Sequence, residues 1–516
     1  MGRKLLAVLL SVTLACGMLA GCGEKDDKKS SSNSETVKNT ETQKENNEKE
    51  DEEPASIRLV FFGSAGDRNT SFWENEFHDR VLEELNIDVT VDYLPWGSED
   101  QVGTMIASGE KFAFYTASTR EQFGSWGSNG YFATIDEALF EEYAPSYLEA
   151  RMDLGLECAK YKDDIVMIPV GAIAYSGAQD NISVRNDILN EVGWDVSDIK
   201  TYDDYVAALK AAKEKYPDME VYRGLNHMAK ALNSVIAPDG AVFQNNVMSP
   251  ICVVDLGDPD SDEVISWLES DYFANLTKIM EDWYEMGFTD PDVIVDYTIY
   301  ENAWTSGNCI ASCGAISNIY DHQISTAEME TDVQYLSLND RPTVMLKDYD
   351  WAWGISAAEQ DNVVSYLKFF NWMYESKENY MFCLYGVEGT DYTISEDGVM
   401  EKLTKDSFFP SWMHKTFYYE PLSDVEYDAA EIAEYMAVDT TAIVSKDAGF
   451  TFDPSAVEVE EAALNAIITE KVDPIAYGFG DYEKDFPAVL EELKAAGLDK
   501  YVEEYQRQFS EFMANK

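Results

Sequence analysis

Apolar positions along this chain follow two rhythms. Ile57-Arg-Leu-Val-Phe-Phe62 is a nearly unbroken apolar run closed by Gly63, the pattern of a strand covered on both faces. A polar stretch over Ser64–Asn69 follows, and then Ser71-Phe-Trp-Glu74, whose capping-box spacing predicts a helix start. Phe77, Val81, Leu82 and Leu85 recur at helical spacing until Asn86, after which Ile87-Asp-Val-Thr-Val-Asp-Tyr-Leu94 alternates as a strand. Strand, helix and strand in so short a span predict a βαβ unit, hence a parallel sheet with a right-handed crossover. Helical periods return over Tyr202–Lys215, Leu276–Met286, Asn362–Tyr374 and Phe486–Ala496, so the chain reads as α/β. No internal repeat is evident. Two short apolar runs stand apart. Lys162–Pro169 stops on a proline before a polar loop and Ile182–Asp187, which leads into a helix over Asp187–Val192. Trp351-Ala-Trp-Gly-Ile-Ser356 precedes a long helix. These are the expected crossings between two lobes.

The first residues obey another logic. Arg3 and Lys4 precede the apolar run Leu5–Leu14 and a small-residue stretch ending Leu19-Ala-Gly-Cys22. This is a secretory leader, too short to span a membrane, and its end resembles the lipobox of bacterial lipoproteins. That resemblance implies cleavage before Cys22, acylation of Cys22 and a membrane anchor, for which two or more acyl chains are physically apt. From Gly23 to Glu53 only Val37 is apolar, so the segment reads as a tether without a core of its own, closed by Pro54.

Charge narrows the partners. The 516-residue chain carries −59; without Arg3 and Lys4 it has 36 Lys+Arg against 97 Asp+Glu, or −61. Such a surface repels nucleic acid and anionic lipid. Beyond Cys16 and Cys22, five cysteines remain: Cys158, Cys252, Cys309, Cys313 and Cys383. An odd number cannot all pair internally, and the expectation is unpaired, buried thiols, with one disulfide as the alternative.

Several blocks together resemble the extracellular solute-binding proteins of bacterial ABC importers, in the group serving oligosaccharides. They are Thr104-Met-Ile-Ala-Ser-Gly109 with Gly130-Tyr-Phe-Ala-Thr-Ile-Asp-Glu137, Ile168-Pro-Val170 with Val184-Arg-Asn-Asp-Ile-Leu189, Gly193-Trp-Asp with Ile199–Asp204, and Trp304-Thr-Ser-Gly-Asn308. Farther on, Phe370–Tyr374, Glu378–Tyr380, Tyr385-Gly-Val-Glu-Gly-Thr-Asp-Tyr392, Gly449-Phe-Thr-Phe-Asp453, Leu493–Lys500 and Tyr505–Phe509 resemble a lipoprotein sub-branch with an extended C-terminal region. Phe112-Ala-Phe114 and Asn308 depart from the family pattern and leave the ligand open. The resemblance implies a two-lobe periplasmic-binding-protein-like fold (type II), with parallel-type sheets flanked by helices and hinged by crossing strands. The expected organisation is a signal peptide at 1–21, lipidated Cys and tether at 22–54, lobe 1 at 55–168 plus 350–405, and lobe 2 at 169–349 plus 406–516. It further implies a monomer without cofactor or catalysis. On the outer face of a cytoplasmic membrane, Gram-positive by expectation, it would close on an oligosaccharide and pass it to ABC permease subunits.

Sugar recognition calls for flat apolar platforms and planar polar groups, on loops beyond the strand carboxyl ends. The ligand-binding candidates are Asp67 and Arg68 after the first strand, Trp96 after the second, Trp126, Tyr175 and Gln179 after Pro169, Trp304, Trp351, Trp353 and Trp412. Trp267, Trp283 and Trp372 lie on helical patterns and read as core. Asp258-Pro-Asp-Ser-Asp-Glu263 with Glu269 partly fits a calcium loop, but Glu263 stands where the sharp turn needs glycine; a helix N-cap is the preferred reading, and no metal is expected. Nucleophile-elbow, Walker-type and H-E-x-x-H motifs are absent, and His78, His227, His322 and His414 are scattered. A surface glycoside hydrolase remains the alternative from another class, because paired carboxylates meet in space rather than in sequence. A ligand-sensing lipoprotein coupled to a two-component sensor is a second.

Overall fold

The computed structural model describes residues 53–95, 98–116, 120–151, 156, 159–170, 181–223, 225, 228–243, 248–294, 303–304, 306–314, 331–338, 340, 344–345, 352–404, 408–410, 414, 416, 419–423 and 443–516. The leader, Cys22 and the tether lie outside them.

Following the chain, the sheet strands are β1 (Ala55–Phe62), β2 (Ile87–Leu94), β3 (Ala113–Thr116), β4 (Met167–Pro169), β5 (Asn181–Arg185), β6 (Glu220–Arg223), β7 (Cys309–Gly314), β8 (Val333–Leu336) and β9 (Ala352–Ile355). The first sheet has the order β2-β1-β3-β9-β4 and the second β8-β5-β7-β6. β1 lies between β2 and β3, parallel to both, which is why its apolar run is continuous; β2 is an edge and alternates. These parallel-type sheets each carry one antiparallel strand. β9 is inserted antiparallel between β3 and β4, and β5 runs antiparallel to both β7 and β8.

The helix after β1 begins earlier than its capping-box spacing predicts. Asn69 Oδ1 accepts from the Gly66 N–H at 3.0 Å, and α1 (Asp67–Phe72) runs through a π-helical turn at Trp73–Phe77 into His78–Leu85. Asn86, in the left-handed region at φ 55°, ends it as expected. The helix Tyr202–Lys215 has its predicted bounds, fixed by a capping box between Thr201 and Asp204.

Two hydrophobic cores define the lobes. One gathers Ile57–Val170 with Ala352–Phe409, and the other Ile182–Leu336 with Phe450–Phe509. Phe408 and Phe409, expected in lobe 2, belong to the core of lobe 1. Cys252, Cys309, Cys313 and Cys383 are buried and form no disulfide, as expected, while Cys158 lies outside the described residues.

The acidic stretch after Asp258 neither caps a helix nor gathers metal ligands. Val264–Ser266 pairs as a strand with Cys252–Val254, and Asp271–Glu285 is capped by the Ser270 hydroxyl accepting from the Phe273 N–H. Glu269 is ion-paired with Lys494 at 2.8 Å, far from the template's role. The Lys446 ammonium instead donates to the carbonyls of Asp258 (2.9 Å) and Ser261 (2.7 Å). Among the described residues no cluster of His, Cys, Asp or Glu could hold a metal ion, and no helix is long and apolar enough to cross a membrane.

Candidate functional site

The strand registers bring particular backbone positions to one edge of each sheet. In the first, β1 ends at Phe62 beside Leu94 of β2, and Thr116 and Pro169, which end β3 and β4, pair with Ala352, which begins β9. In the second, Asn181 begins β5 beside Gly314 at the end of β7, and Leu336 of β8 pairs with Ile182. The chain leaves lobe 1 just after Pro169 and enters lobe 2 at Asn181. It returns from Leu336 through Val344–Met345 to Ala352. Val344–Met345 forms a small parallel ribbon with Ile443–Val444, where the chain passes again. Both the Pro169–Asn181 and the Leu336–Ala352 connections therefore run between these two sets of strand ends. Open α/β sheets bind ligands at such strand ends, where side chains from many loops converge without interrupting either core.

Trp96 lies two positions beyond β2, Tyr175 and Gln179 lie between β4 and β5, and Trp351 immediately precedes β9. All four flank these strand ends in sequence. With Trp412, they lie outside the described residues.

The remaining candidates have other employment. Asp67 is exposed, but in the first turn of α1 rather than a loop. Arg68 is fully committed within lobe 1. Its Nε and Nη2 meet Asp391 Oδ1 and Oδ2 at 2.7 and 2.6 Å, its Nη1 meets Glu76 at 3.0 Å, and its guanidinium lies over the rings of Phe72 and Phe408. The Asp391 hydrogen bonds dominate and push the Arg68 pKa upward, so the charge is permanent. Asp391 sits in the Tyr385–Tyr392 block and also accepts from the Val387 N–H at 2.8 Å. Gly386 is required in that turn: φ is +85°, and a Cβ would stand 2.4 Å from the Phe408 ring and 2.5 Å from Asp391.

Trp126 is buried edge-on against Phe114, and Trp304 is buried in a small cluster with Ala303, Cys309 and Val333. Trp353 is fully enclosed. Its Nε1 donates to His414 Nε2 at 3.0 Å, which leaves the imidazole proton on Nδ1, facing the Tyr374 hydroxyl at 3.2 Å. Tyr374 in turn donates to the His414 carbonyl at 3.1 Å. In this arrangement Trp126, Trp304 and Trp353 are buried in packing contacts, and the guanidinium of the partly exposed Arg68 is taken up by Asp391 and Glu76. Trp267, Trp283 and Trp372 are buried as expected.

Sequence reasoning missed Asp391, His414 and Glu420, which accepts from the hydroxyls of Tyr380 (2.6 Å) and Tyr385. The only sequence signal was the glycine-rich Tyr385–Tyr392 block holding Asp391.

A family model described as a domain of unknown function (DUF3502) matches residues 446–514. A curated relative, a carbohydrate ABC transporter substrate-binding protein of Streptococcus pneumoniae serotype 4, is 21% identical over 467 residues, 85% of this chain and 87% of that protein. Among solved structures, the N-glycan transport solute-binding protein NgtS of Streptococcus pneumoniae in complex with Man5GlcNAc is 19% identical. It superposes with a TM-score of 0.72 over 90% of this chain and 99% of that one. The alginate-binding protein AlgQ2 is 16% identical, with a TM-score of 0.61 over 89% of this chain and 98% of that one. The fold is that of the two-lobe solute-binding proteins.

Proposed function

We propose that this protein is a lipid-anchored, extracytoplasmic solute-binding protein that closes its lobes on an oligosaccharide and delivers it to the permease of an ABC importer. The observation carrying this reading is the set of connections that run between the strand ends of the two sheets, in a fold shared over 90% of this chain with a structure holding Man5GlcNAc. Function here is differential affinity: the sugar stabilises the closed lobes over the open ones, and the permease reads that population. Trp96, Trp351 and Trp412 supply stacking faces, while Asp67, Tyr175 and Gln179 supply hydrogen-bonding groups that a wrong sugar would leave unpaired. Acyl chains on Cys22 hold the protein at the membrane.

A thermal-shift screen of the full chain tests the sugar assignment, using Man5GlcNAc, kestose, uronic-acid oligomers and peptides. A glycan at about a hundred times its Kd adds about 2.7 kcal/mol of stability. Stabilisation by peptides alone would sink the carbohydrate reading. New reducing ends appearing in the glycan incubations would favour a hydrolase instead. Release of Cys22→Ala into the medium, with the native chain retained on cells, is the expected outcome for the anchor.

A further inference from the structure

The lobes also touch through the segment that the domain of unknown function supplies. On lobe 1, α2 (Arg120–Ser128) presents Gly124, where a Cβ would stand 1.9 Å from the carbonyl oxygen of Phe452 and 3.4 Å from the ring of Pro454. That carbonyl therefore occupies the space any other side chain would need. Beside it, the Lys160–Ile165 hairpin turns through Lys162, whose φ of 56° is unusual for a residue with a Cβ. Lys162 reaches Asp453 at 2.9 Å.

Both sides of this contact are braced. On lobe 1, Tyr161 closes on Gly127, where a Cβ would stand 2.5 Å from its ring, and the Lys162 ammonium lies over that ring. On lobe 2, Gln508 of α3 (Leu498–Asn515) holds both backbone groups of Asp453, accepting from its N–H and donating to its carbonyl, each at 2.8 Å. Phe452 stacks on Tyr505, and Phe450 packs edge-on against Phe509. One Asp453 oxygen caps the Pro454–Ala456 turn through the Ser455 N–H, leaving the other for Lys162.

We infer that the 446–514 module is an inter-lobe latch: the Phe452 carbonyl seated on Gly124, with the Lys162–Asp453 pair, stabilises the lobe arrangement described here over any other. A carbonyl lodged on a bare Cα between two rigid supports cannot slide, so rotation about the crossings makes or loses the contact as a unit. The latch therefore sets the equilibrium from which a ligand draws the closed state, and with it the apparent affinity. The inference rests on the lobe-closure reading above but on no particular ligand.

The test measures the inter-lobe distance in the unliganded full chain by pulsed electron resonance. Spin labels are carried on keto-bearing side chains in place of Asp79 and Lys484, exposed residues of lobe 1 and lobe 2. Gly124→Ala is expected to change the ratio of the two arrangements about tenfold, about 1.4 kcal/mol. Lys162→Ala, removing a partly exposed pair, should change it about two- to fivefold in the same direction, less so in high salt. Lys471→Ala removes an ion pair internal to lobe 2 and should leave the distances unchanged. Distances like the unaltered chain's in both latch variants, or shifts in opposite directions, overturn the inference. Should Gly124→Ala fail to fold, Lys162→Glu must shift the ratio further than Lys162→Ala; an unshifted ratio is equally fatal. Because no ligand enters, failure of the latch leaves the sugar reading untouched, and failure of the sugar screen leaves the latch testable.

Discussion

The two lobes are each completed by a late piece of chain, and they hold that piece by different physics. Lobe 1 receives residues 352–423, which thread a strand into the middle of its sheet. Buried polar bolts fix that piece: Arg68 on Asp391, Trp353 on His414, and Tyr380 and Tyr385 on Glu420. Lobe 2 receives residues 446–515, which add helices outside its sheet. Apolar rings fix them, with Phe450 and Phe452 packed on Tyr505, Phe509 and Phe512 of α3, and amide side chains tie the backbone at the margin. An inserted strand must find one register, and a buried polar pair is satisfied in only one. A helix on a surface needs packing area more than register.

Four measurements would break or sharpen this contrast. The largest effect is expected from Phe509→Ala, which empties a fully buried site under the Phe450 ring. It should cost about 4 kcal/mol in denaturant unfolding, and a loss under about 1 kcal/mol would mean that the rings do not hold the module. Next comes Asp391→Ala, which removes the bidentate partner of Arg68 and leaves its guanidinium with the Glu76 ion pair, at about 3 kcal/mol. If Asp391→Ala were neutral while Arg68→Met was destabilising, the bolt would be packing and not charge. Gln506→Ala removes an acceptor for the Val264 N–H and a donor to the Asp262 carbonyl, and should cost about 1 kcal/mol.

The smallest effect concerns pH. Burial alone would raise the Asp453 carboxyl, but hydrogen bonds from Ser455 and Lys162 outweigh it and hold the pKa below its ordinary value of 3.8. A depressed carboxylate stabilises the fold above its unfolded pKa, and that contribution disappears as pH falls through the lowered folded value. Lys162→Ala should therefore cost under about 1 kcal/mol near pH 7 and nothing once the pH has fallen through the lowered folded pKa and Asp453 is protonated. An undiminished cost at the acid end would rule out the pairing as its source.

The sequence made the local elements legible because their signals are local. Apolar rhythm located β1 and β2, Asn86 the helix end, and Thr201 and Asp204 the cap. What it hid was non-local. Arg68 and Asp391 lie 323 residues apart, so a charged residue after a strand reads as a ligand group until its partner is placed. Trp353 sits in a short run beside a crossing, where alternation suggests an open face. Insertion between β3 and β4, with His414 behind the indole, closes it. The stretch from Asp258 has a cation-loop spacing, but spacing cannot show that Lys446, 188 residues away, puts its ammonium on the Asp258 carbonyl.

The placement of β9 also dictates a schedule. A chain emerging N-terminus first, from a ribosome or a secretion channel, delivers β1 to β4 long before β9, and until then β3 and β4 each present an unpaired edge. Among the described residues, lobe 2's sheet has its strands by residue 336, so the lobe whose sheet starts first finishes second. The vulnerable interval in the life of this molecule is therefore its delivery, when half a sheet waits for a strand that has not yet arrived. Chaperones acting there would be expected to recognise the open edges of β3 and β4.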